Sequence, residues 1–272
     1  MKRSLLILWF GIITIPLFAQ IQSPDSFLGY ELGTHFSAHQ KVVDYFKEIA
    51  AKAENVKLQS YGKTYEGREL LFAIVSDPAN MERLEQIRTN NIAISNNDKS
   101  VKLANQPVIV WLSYNVHGNE ANSTETAMKV LYTLAEAKDE QTKAWLKNTV
   151  VIIDPCLNPD GRERYVNYFN SAVGAVPNPD PAAREHYEPW PGGRSNHYYF
   201  DLNRDWAWQT QIESEQRLRQ YHQWLPQVHV DFHEQGYNEP YYFAPAAEPI
   251  HQAVTPWQRE FQVIVGKNNA KY

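Results

Sequence analysis

Apolar residues recur along the chain with two different spacings, which distinguish predicted helices from predicted strands. Helical spacing predicts helices at Ala38 to Ala53, Met81 to Ile87, about 122–137, about 211–224 and a last one opened by Thr255-Pro256. Continuous β-prone runs predict strands at 56–62, 69–76, 108–112, 149–153 and 227–232, with Tyr241 to Ala244 as a weaker candidate. This order of elements predicts an α/β fold with a mixed, largely parallel central sheet flanked by helices.

Turn and capping signals lie between these elements. Lys63 to Arg68 contains Glu66-Gly67 and predicts a hairpin between the first two strands. Asn158-Pro159-Asp160-Gly161 predicts a tight turn. The polar pairs whose spacing fits a reciprocal helix cap are Asn122 with Glu125 and Thr210 with Glu213. Residues 171–200 have no clear period, and a loop of this length inside a compact domain is usually functional.

The first twenty residues differ from the rest of the chain. Two basic residues precede an apolar run from Leu5 to Phe18, and Ala19 follows it. A basic start, about 14 apolar residues and a small residue at the end are typical of a secretory signal peptide, whereas a membrane span needs about 20 apolar residues. We therefore expect a signal peptide at 1–20, a single domain at 21–272, and export to the periplasm or the cell exterior.

Charge and cysteine content narrow the range of partners. Without the first twenty residues the chain has 24 basic and 31 acidic residues, a net charge near −7. This argues against a nucleic-acid partner, because phosphate binding needs a concentrated basic surface. No later segment is apolar enough to span a bilayer, so we expect no stable membrane span after signal cleavage. The single cysteine, Cys156, lies beside an apolar run and is expected to be a buried thiol.

Candidate metal ligands follow two of the predicted strands. His117 and Glu120 stand three residues apart after the strand that ends at Leu112, and His233 follows the strand that ends at Phe232. In α/β sheets, ligands collect beyond the carboxyl ends of the strands. Two imidazoles and a carboxylate form a ligand set suited to zinc, and three protein ligands leave a fourth position for water. We therefore predict a site for one Zn²⁺ ion.

A dense polar segment ends the long loop. Asp201-Leu202-Asn203-Arg204-Asp205-Trp206 places an amide, a guanidinium and two carboxylates within five residues, which core packing does not require. A planar guanidinium is suited to binding a carboxylate through two hydrogen bonds.

These segments resemble one known family, the zinc carboxypeptidases of the carboxypeptidase A type. The match comprises the H-x-x-E pair, the N-P-D-G segment, the D-x-N-R-[DN]-W segment and the distant His at a strand end, in that order, from about residue 35 onward. The resemblance implies that His117, Glu120 and His233 bind zinc. It also implies a peptidase that uses a metal-activated water on peptides with a free terminal carboxylate.

The resemblance assigns further roles to individual residues. Asn203 and Arg204 would hold the terminal carboxylate of the substrate, and Asp201 would orient the first zinc histidine. Arg194 looks like the arginine that polarises the scissile carbonyl, with Arg184 as the alternative because the loop length differs from that of the best-known members.

Three departures from the family pattern stand out. Asn119 occupies the place of a substrate-contacting arginine in the digestive enzymes, and Glu234 replaces the small residue usual after the third ligand. The general-base Glu and the residues of the specificity pocket would fall beyond residue 272. We therefore expect the catalytic domain at 21–272 to be incomplete at its carboxyl end and inactive by itself.

Two further functions remain open from the sequence. One is a hydrolase of the same fold that cleaves cell-wall peptides or removes an acyl group from an amino acid. The other is a zinc-binding or peptide-binding module without catalysis. The only feature that favours it is that the general-base Glu is expected beyond residue 272.

Overall fold

The computed structural model describes residues 21–104, 106–236, 238–240 and 242–271. The predicted signal peptide lies outside these residues. The chain divides into two compact units, one that ends at His233 and one that begins at Glu234. The predicted chemistry lies in the first unit.

Helices in the first unit are α1 (Pro24–Leu28), α2 (His39–Lys52), α3 (Pro78–Glu82), α4 (Leu84–Ser95), α5 (Asn122–Glu136), α6 (Glu140–Asn148), α7 (Pro159–Ala172) and α8 (Ile212–Trp224). Two short 3-10 turns cover Arg184–His186 and Leu202–Arg204. The second unit contains α9 (Pro256–Asn269), which begins with a capping box formed by Thr255 and Gln258. This confirms the predicted start of the last helix.

The first unit is built on a five-stranded sheet. Its strands are β1 (Val56–Lys63), β2 (Glu69–Val75), β3 (Val108–Tyr114), β4 (Thr149–Asp154) and β5 (Val228–Phe232). Their order across the sheet is β1-β2-β4-β3-β5. Strand β2 is antiparallel to β1 and β4, whereas β3 is parallel to β4 and β5. Only β2 therefore runs against the other four, which confirms a mixed, largely parallel sheet.

Helices cover both faces of this sheet. One face packs on α2 and α5 through side chains such as Phe46 and Met128. The other packs on α4 and α8, where Trp111 and Trp224 lie in the core. Burial on both faces explains why the central strands are almost continuously apolar. Because β3, β4 and β5 run in parallel, their carboxyl ends meet at the same edge of the sheet.

Two element predictions were wrong. The helical pattern of Met81 to Ile87 is split between α3 and α4, which meet at Arg83. Asp77 caps α3, with its side chain accepting the Ala79 N–H, so α3 starts earlier than its apolar residues indicate. No strand occurs at 242–244, the described part of the weaker strand candidate.

Both predicted reciprocal caps were wrong. Helices α5 and α8 begin without a capping side chain. Glu125 is buried and accepts hydrogen bonds from Ser37 N and Oγ and from Arg162 Nη2, at 2.7, 2.8 and 2.7 Å. Thr210 instead donates to Asp205 at 2.7 Å. Both polar groups are used for tertiary contacts, which spacing along the chain does not reveal.

The N-P-D-G segment starts a helix and is not an isolated turn. Asn158 caps α7 by accepting the Gly161 N–H, and Pro159 occupies the first helical position. The Asp160 carboxylate is buried and accepts from Thr64 Oγ1 at 2.7 Å, and it pairs with Arg68 at the same distance. The β1–β2 hairpin is thereby joined to α7.

Candidate metal centre

Asn115 organises the loop that follows β3. It is fully buried and has a φ of 57°, a left-handed conformation that asparagine tolerates better than most residues. Its Nδ2 donates to the carbonyl oxygens of His117 at 2.6 Å, Gly118 at 3.3 Å and Glu120 at 3.0 Å. Its Oδ1 accepts from Thr124 on α5 at 3.0 Å. The loop is therefore tied both to itself and to the following helix.

The structure brings His117, Glu120 and His233 together at the carboxyl edge of the sheet. His117 Nδ1 lies 2.8 Å from Glu120 Oε1, and His233 Nδ1 lies 3.1 Å from Glu120 Oε2. The two Nδ1 atoms are 3.2 Å apart. His117 and Glu120 come from the loop after β3, whereas His233 directly follows β5. Donor atoms from two segments that are distant in sequence thus face one point.

The spacing of these atoms fits a single divalent ion. Metal–ligand distances of about 2.0–2.1 Å in a tetrahedral site place neighbouring ligand atoms about 3.3–3.4 Å apart. The observed separations, which involve both carboxylate oxygens of Glu120, are 2.8, 3.1 and 3.2 Å, so the ligands would need to move outward by a few tenths of an ångström. Within the part of the chain that the structure describes, this is the one group of three or more His, Cys, Asp or Glu side chains with such convergence.

A carboxylate contacts the outward nitrogen of each histidine. His117 Nε2 lies 3.2 Å from Asp201 Oδ1, and His233 Nε2 lies 3.0 Å from Asp231 Oδ2. Arg194 Nε and Nη2 donate to Asp201 Oδ2 at 3.1 and 2.9 Å. Such contacts fix which ring nitrogen carries the proton and leave the other for a metal.

The electrostatics favour a positive charge at the centre. Hydrogen bonds to Asp231 and then to Glu120 raise the pKa of His233 to about 10, against the opposing effect of burial. Burial raises the pKa of Asp201, but charge interaction with His117, the Asn203 N–H and Arg194 outweigh it and hold the pKa below its ordinary value. The carboxylates of Asp231 and Glu120 thus favour positive charge at His233.

Three glycines allow the loops around the centre to touch. An added Cβ on Gly118 would lie 2.2 Å from Arg162 N and 2.4 Å from Gly193 O. One on Gly161 would lie 2.3 Å from Gly193 O. The carbonyl of Arg194 accepts from Gly118 N at 3.4 Å and from Asn158 Nδ2 at 3.0 Å. This backbone junction, formed by Gly118, Gly161 and Gly193, sets the position of Arg194 relative to the histidines.

The remaining predicted site residues differ in their contacts with the centre. Asn203 Nδ2 is 3.4 Å from His233 Nε2. Arg204 is exposed, and among the described residues it donates only to the Asn203 carbonyl, at 3.3 Å. Arg194 Nη1 is 4.0 Å from Glu120 Oε1, whereas Arg184 donates to Tyr168 and the Tyr187 carbonyl. The geometry therefore favours Arg194 over Arg184 as the arginine of the site.

Sequence reasoning missed Asp231, Asn115 and the glycine junction. Asp231 precedes His233 by two residues on a strand, and this spacing places both side chains on one face, a signal that could have been used. His229 packs against Trp206, with ring centroids 5.3 Å apart. Cys156 is buried, as predicted, and burial raises the pKa of its thiol to about 12.

Comparison with known families gives one match. A family model described as zinc carboxypeptidase matches residues 42–269. No curated protein matches the chain. Within the described residues, no helix combines the length and the apolar character needed to cross a bilayer.

Solved structures of metallocarboxypeptidases share the fold. A metallo-carboxypeptidase from Burkholderia cenocepacia is 16% identical with a TM-score of 0.55, and the match covers 82% of this chain and 47% of that one. Thrombin activatable fibrinolysis inhibitor is 13% identical with a TM-score of 0.57, and the match covers 94% and 60%. At these identities the likeness shows the fold alone. The chain spans about half the length of these structures.

Proposed function

Because the chain belongs to the zinc carboxypeptidase family, we propose that it is a zinc-dependent peptidase that removes residues from the carboxyl end of peptides. The observation that carries the proposal is the convergence of His117, Glu120 and His233, whose donor atoms lie within 4.8 Å of one another. Membership in a zinc-dependent family supports the assignment of this group as the zinc site.

The three converging residues would hold one Zn²⁺ ion. When bound, zinc supplies Lewis acidity, which lowers the pKa of water and polarises a carbonyl group. Asp201 keeps the His117 ring oriented through the 3.2 Å contact to Nε2. Glu120 is 12% exposed in its side chain and His117 5%, so solvent competes little with the ion for them.

Arg194 would stabilise negative charge on the scissile carbonyl. One edge of its guanidinium, Nε and Nη2, is bound to Asp201, and this fixes the plane of the group. Nη1 remains on the side of Glu120, and the side chain is 49% exposed. A donor held in place before substrate arrives stabilises developing charge without reorganisation.

Asn203 and Arg204 would bind the terminal carboxylate of the peptide. Arg204 is exposed and forms no ion pair among the described residues. Its neighbour Asn203 contacts His233, and an exposed guanidinium can hold a carboxylate with two hydrogen bonds. Anchoring the chain end beside the metal would limit cleavage to the terminal peptide bond, which is the specificity of a carboxypeptidase.

A pair of substrates that differ only at the terminus tests this function. The complete gene product, loaded with zinc, is incubated with an N-acylated dipeptide and with its C-terminal amide, and release of the terminal residue is measured. We expect release from the free carboxylate and little from the amide. Arg204→Met should lower kcat/KM about 10–100-fold, the value of a lost charge-assisted contact.

The exposed Arg184 provides the matched control, because Arg184→Met removes a guanidinium held by Tyr168 and the Tyr187 carbonyl. This variant should retain the activity of the unmodified protein. Equal cleavage of the acid and the amide, or no release by a protein that carries zinc, would contradict the proposal.

We also propose that the protein is exported. The basic start and apolar run of the first twenty residues support a cleaved signal peptide. The substrate would then be a peptide in the periplasm or outside the cell. The molecular mass of the mature protein tests this, since cleavage near Ala19 removes the first residues.

A further inference from the structure

The third metal-ligand candidate has a carboxylate neighbour of its own. Asp231 lies two residues before His233 on β5, and its Oδ2 is 3.0 Å from His233 Nε2. We propose that Asp231 is a positioning residue that orients His233 for metal binding, as the counterpart of Asp201 at His117. This inference rests on the proposed zinc site.

Strand geometry makes the contact a built-in one. Side chains two residues apart on a strand point to the same face of the sheet. Asp231 and His233, which directly follows β5, are therefore neighbours on one face. When His233 Nε2 donates to Asp231, the Nδ1 lone pair is left for an ion. Nδ1 is the atom that lies 3.1 Å from Glu120 and 3.2 Å from His117 Nδ1. His233 therefore contacts Asp231 through Nε2 and directs Nδ1 toward the other two metal-ligand candidates.

Asp231 is one of three polar residues that lie side by side on neighbouring strands of the sheet. Its register partner on β3 is Ser113, whose partner on β4 is Asp154, so the three side chains share one face of the sheet. Arg217 of α8 is fully buried, with its guanidinium 3.6 Å from the Trp206 ring centroid. Its charge interacts with those of Asp154 and Asp231. A buried cation on this side stabilises a carboxylate that faces His233.

The two carboxylates differ in how they are supported. Asp201 lies on the loop and is held by the partly exposed Arg194 and by the Asn203 N–H at 2.9 Å. Asp231 is part of the sheet, and its Oδ1 is buried without a hydrogen-bond partner among the described residues. His233 is the more exposed of the two histidines, with 31% of its side chain accessible against 5% for His117. The less enclosed ring depends more on a fixed contact at its outer nitrogen.

Zinc affinity of variants of the full chain tests this role. The dissociation constant is measured by competition with a chromophoric chelator for the unmodified chain, Asp231→Asn and Asp231→Ala. We expect about 10–100-fold weaker zinc binding for Asp231→Ala, the usual loss when the partner of a ligating histidine is removed. We expect a smaller loss for Asp231→Asn, whose amide oxygen still accepts one hydrogen bond.

Asp154→Asn is the matched control. It removes a buried carboxylate from the same face of the sheet, two strands away, where the hydrogen-bond partner is Tyr61 at 3.1 Å. The visible absorption spectrum of the Co²⁺ form and the unfolding midpoint of the metal-free protein are recorded for each variant. Positioning predicts weaker zinc binding and an altered Co²⁺ spectrum for the Asp231 variants at a temperature below the metal-free midpoint of each protein, and no such change for Asp154→Asn.

Two outcomes would overturn the inference while the proposed zinc site stands. One is that both Asp231 variants have the same zinc affinity and Co²⁺ spectrum as the unmodified chain. The other is an equal loss of affinity in Asp154→Asn, which would show a general effect of buried charge. If His233→Ala binds zinc as tightly as the unmodified chain, or if the unmodified chain binds none, the proposed function itself fails.

Discussion

Replacing Gly118 by alanine should disrupt the metal centre without removing any ligand. Gly118 lies between the ligands His117 and Glu120, and its added Cβ would be 2.2–2.4 Å from three backbone atoms. Ordinary contact begins at 3.4 Å. The loop must therefore retreat by about 1.0–1.2 Å from α7 or from Gly193, because backbone atoms, unlike a flexible side chain, cannot turn away.

A displacement of this size exceeds what a metal site tolerates. Ligand distances in zinc sites hold to within about 0.2 Å, and losing the contacts that orient a ligand costs about 10–100-fold in metal affinity. We therefore expect Gly118→Ala to weaken zinc binding by about 10–100-fold. Overpacking should also lower the free energy of unfolding by about 1–3 kcal/mol.

Competition with a chromophoric chelator measures the zinc dissociation constant, at a temperature where circular dichroism shows both metal-free proteins folded. Gly174→Ala is the control, since an added Cβ there would lie 3.6 Å from the Val176 carbonyl, an ordinary contact. It should bind zinc like the unmodified protein. A folded Gly118→Ala protein with unmodified zinc affinity would refute the reasoning that the backbone junction sets the ligand geometry.

Two further predictions concern buried carboxylates. Glu125→Gln should lower the free energy of unfolding by about 3–5 kcal/mol in urea titrations, because the fully buried Arg162 loses its charged partner. Replacing the exposed Glu140 by glutamine is the control and should change the urea midpoint little. Equal effects of the two substitutions would contradict this prediction. Burial raises the pKa of Asp205, but hydrogen bonds from Thr210 and Gln211 outweigh it and lower the pKa. The ionised Asp205 therefore stabilises the fold above the unfolded pKa of about 3.9, and this stabilisation is lost as pH falls through the lower folded pKa. Asp205→Asn should have a lower free energy of unfolding than the unmodified protein at neutral pH, and the difference between the two proteins should shrink below about pH 4.

Local sequence patterns were sufficient to predict the sheet and the convergence of the three candidate metal ligands. The apolar runs that became β3, β4 and β5 are long and flanked by turn residues, and parallel strands bring their carboxyl ends to one edge. His117, Glu120 and His233 were therefore expected to converge, and the structure places them within 4.8 Å of one another. Their roles, and those of Arg194, Asn203 and Arg204, stay predictions.

Contacts between distant segments were beyond the reach of local patterns. Glu125 has the spacing of a capping residue but pairs with Arg162 and with Ser37, which lies 88 positions away. The three-residue spacing is shared by a cap and by a buried contact, and only the tertiary ion pair between Glu125 and Arg162 decides between them. The break at Arg83 was missed for a related reason, because the apolar period continues across it while Asp77 starts a separate helix.

The metal content of the purified protein tests the central claim most directly. Elemental analysis of the folded chain after dialysis against zinc should give one zinc ion per molecule. The same analysis on His117→Ala, Glu120→Ala and His233→Ala should give none, with secondary structure retained by circular dichroism. A well-folded unmodified protein that holds no zinc, or variants that retain one ion per molecule, would contradict the account.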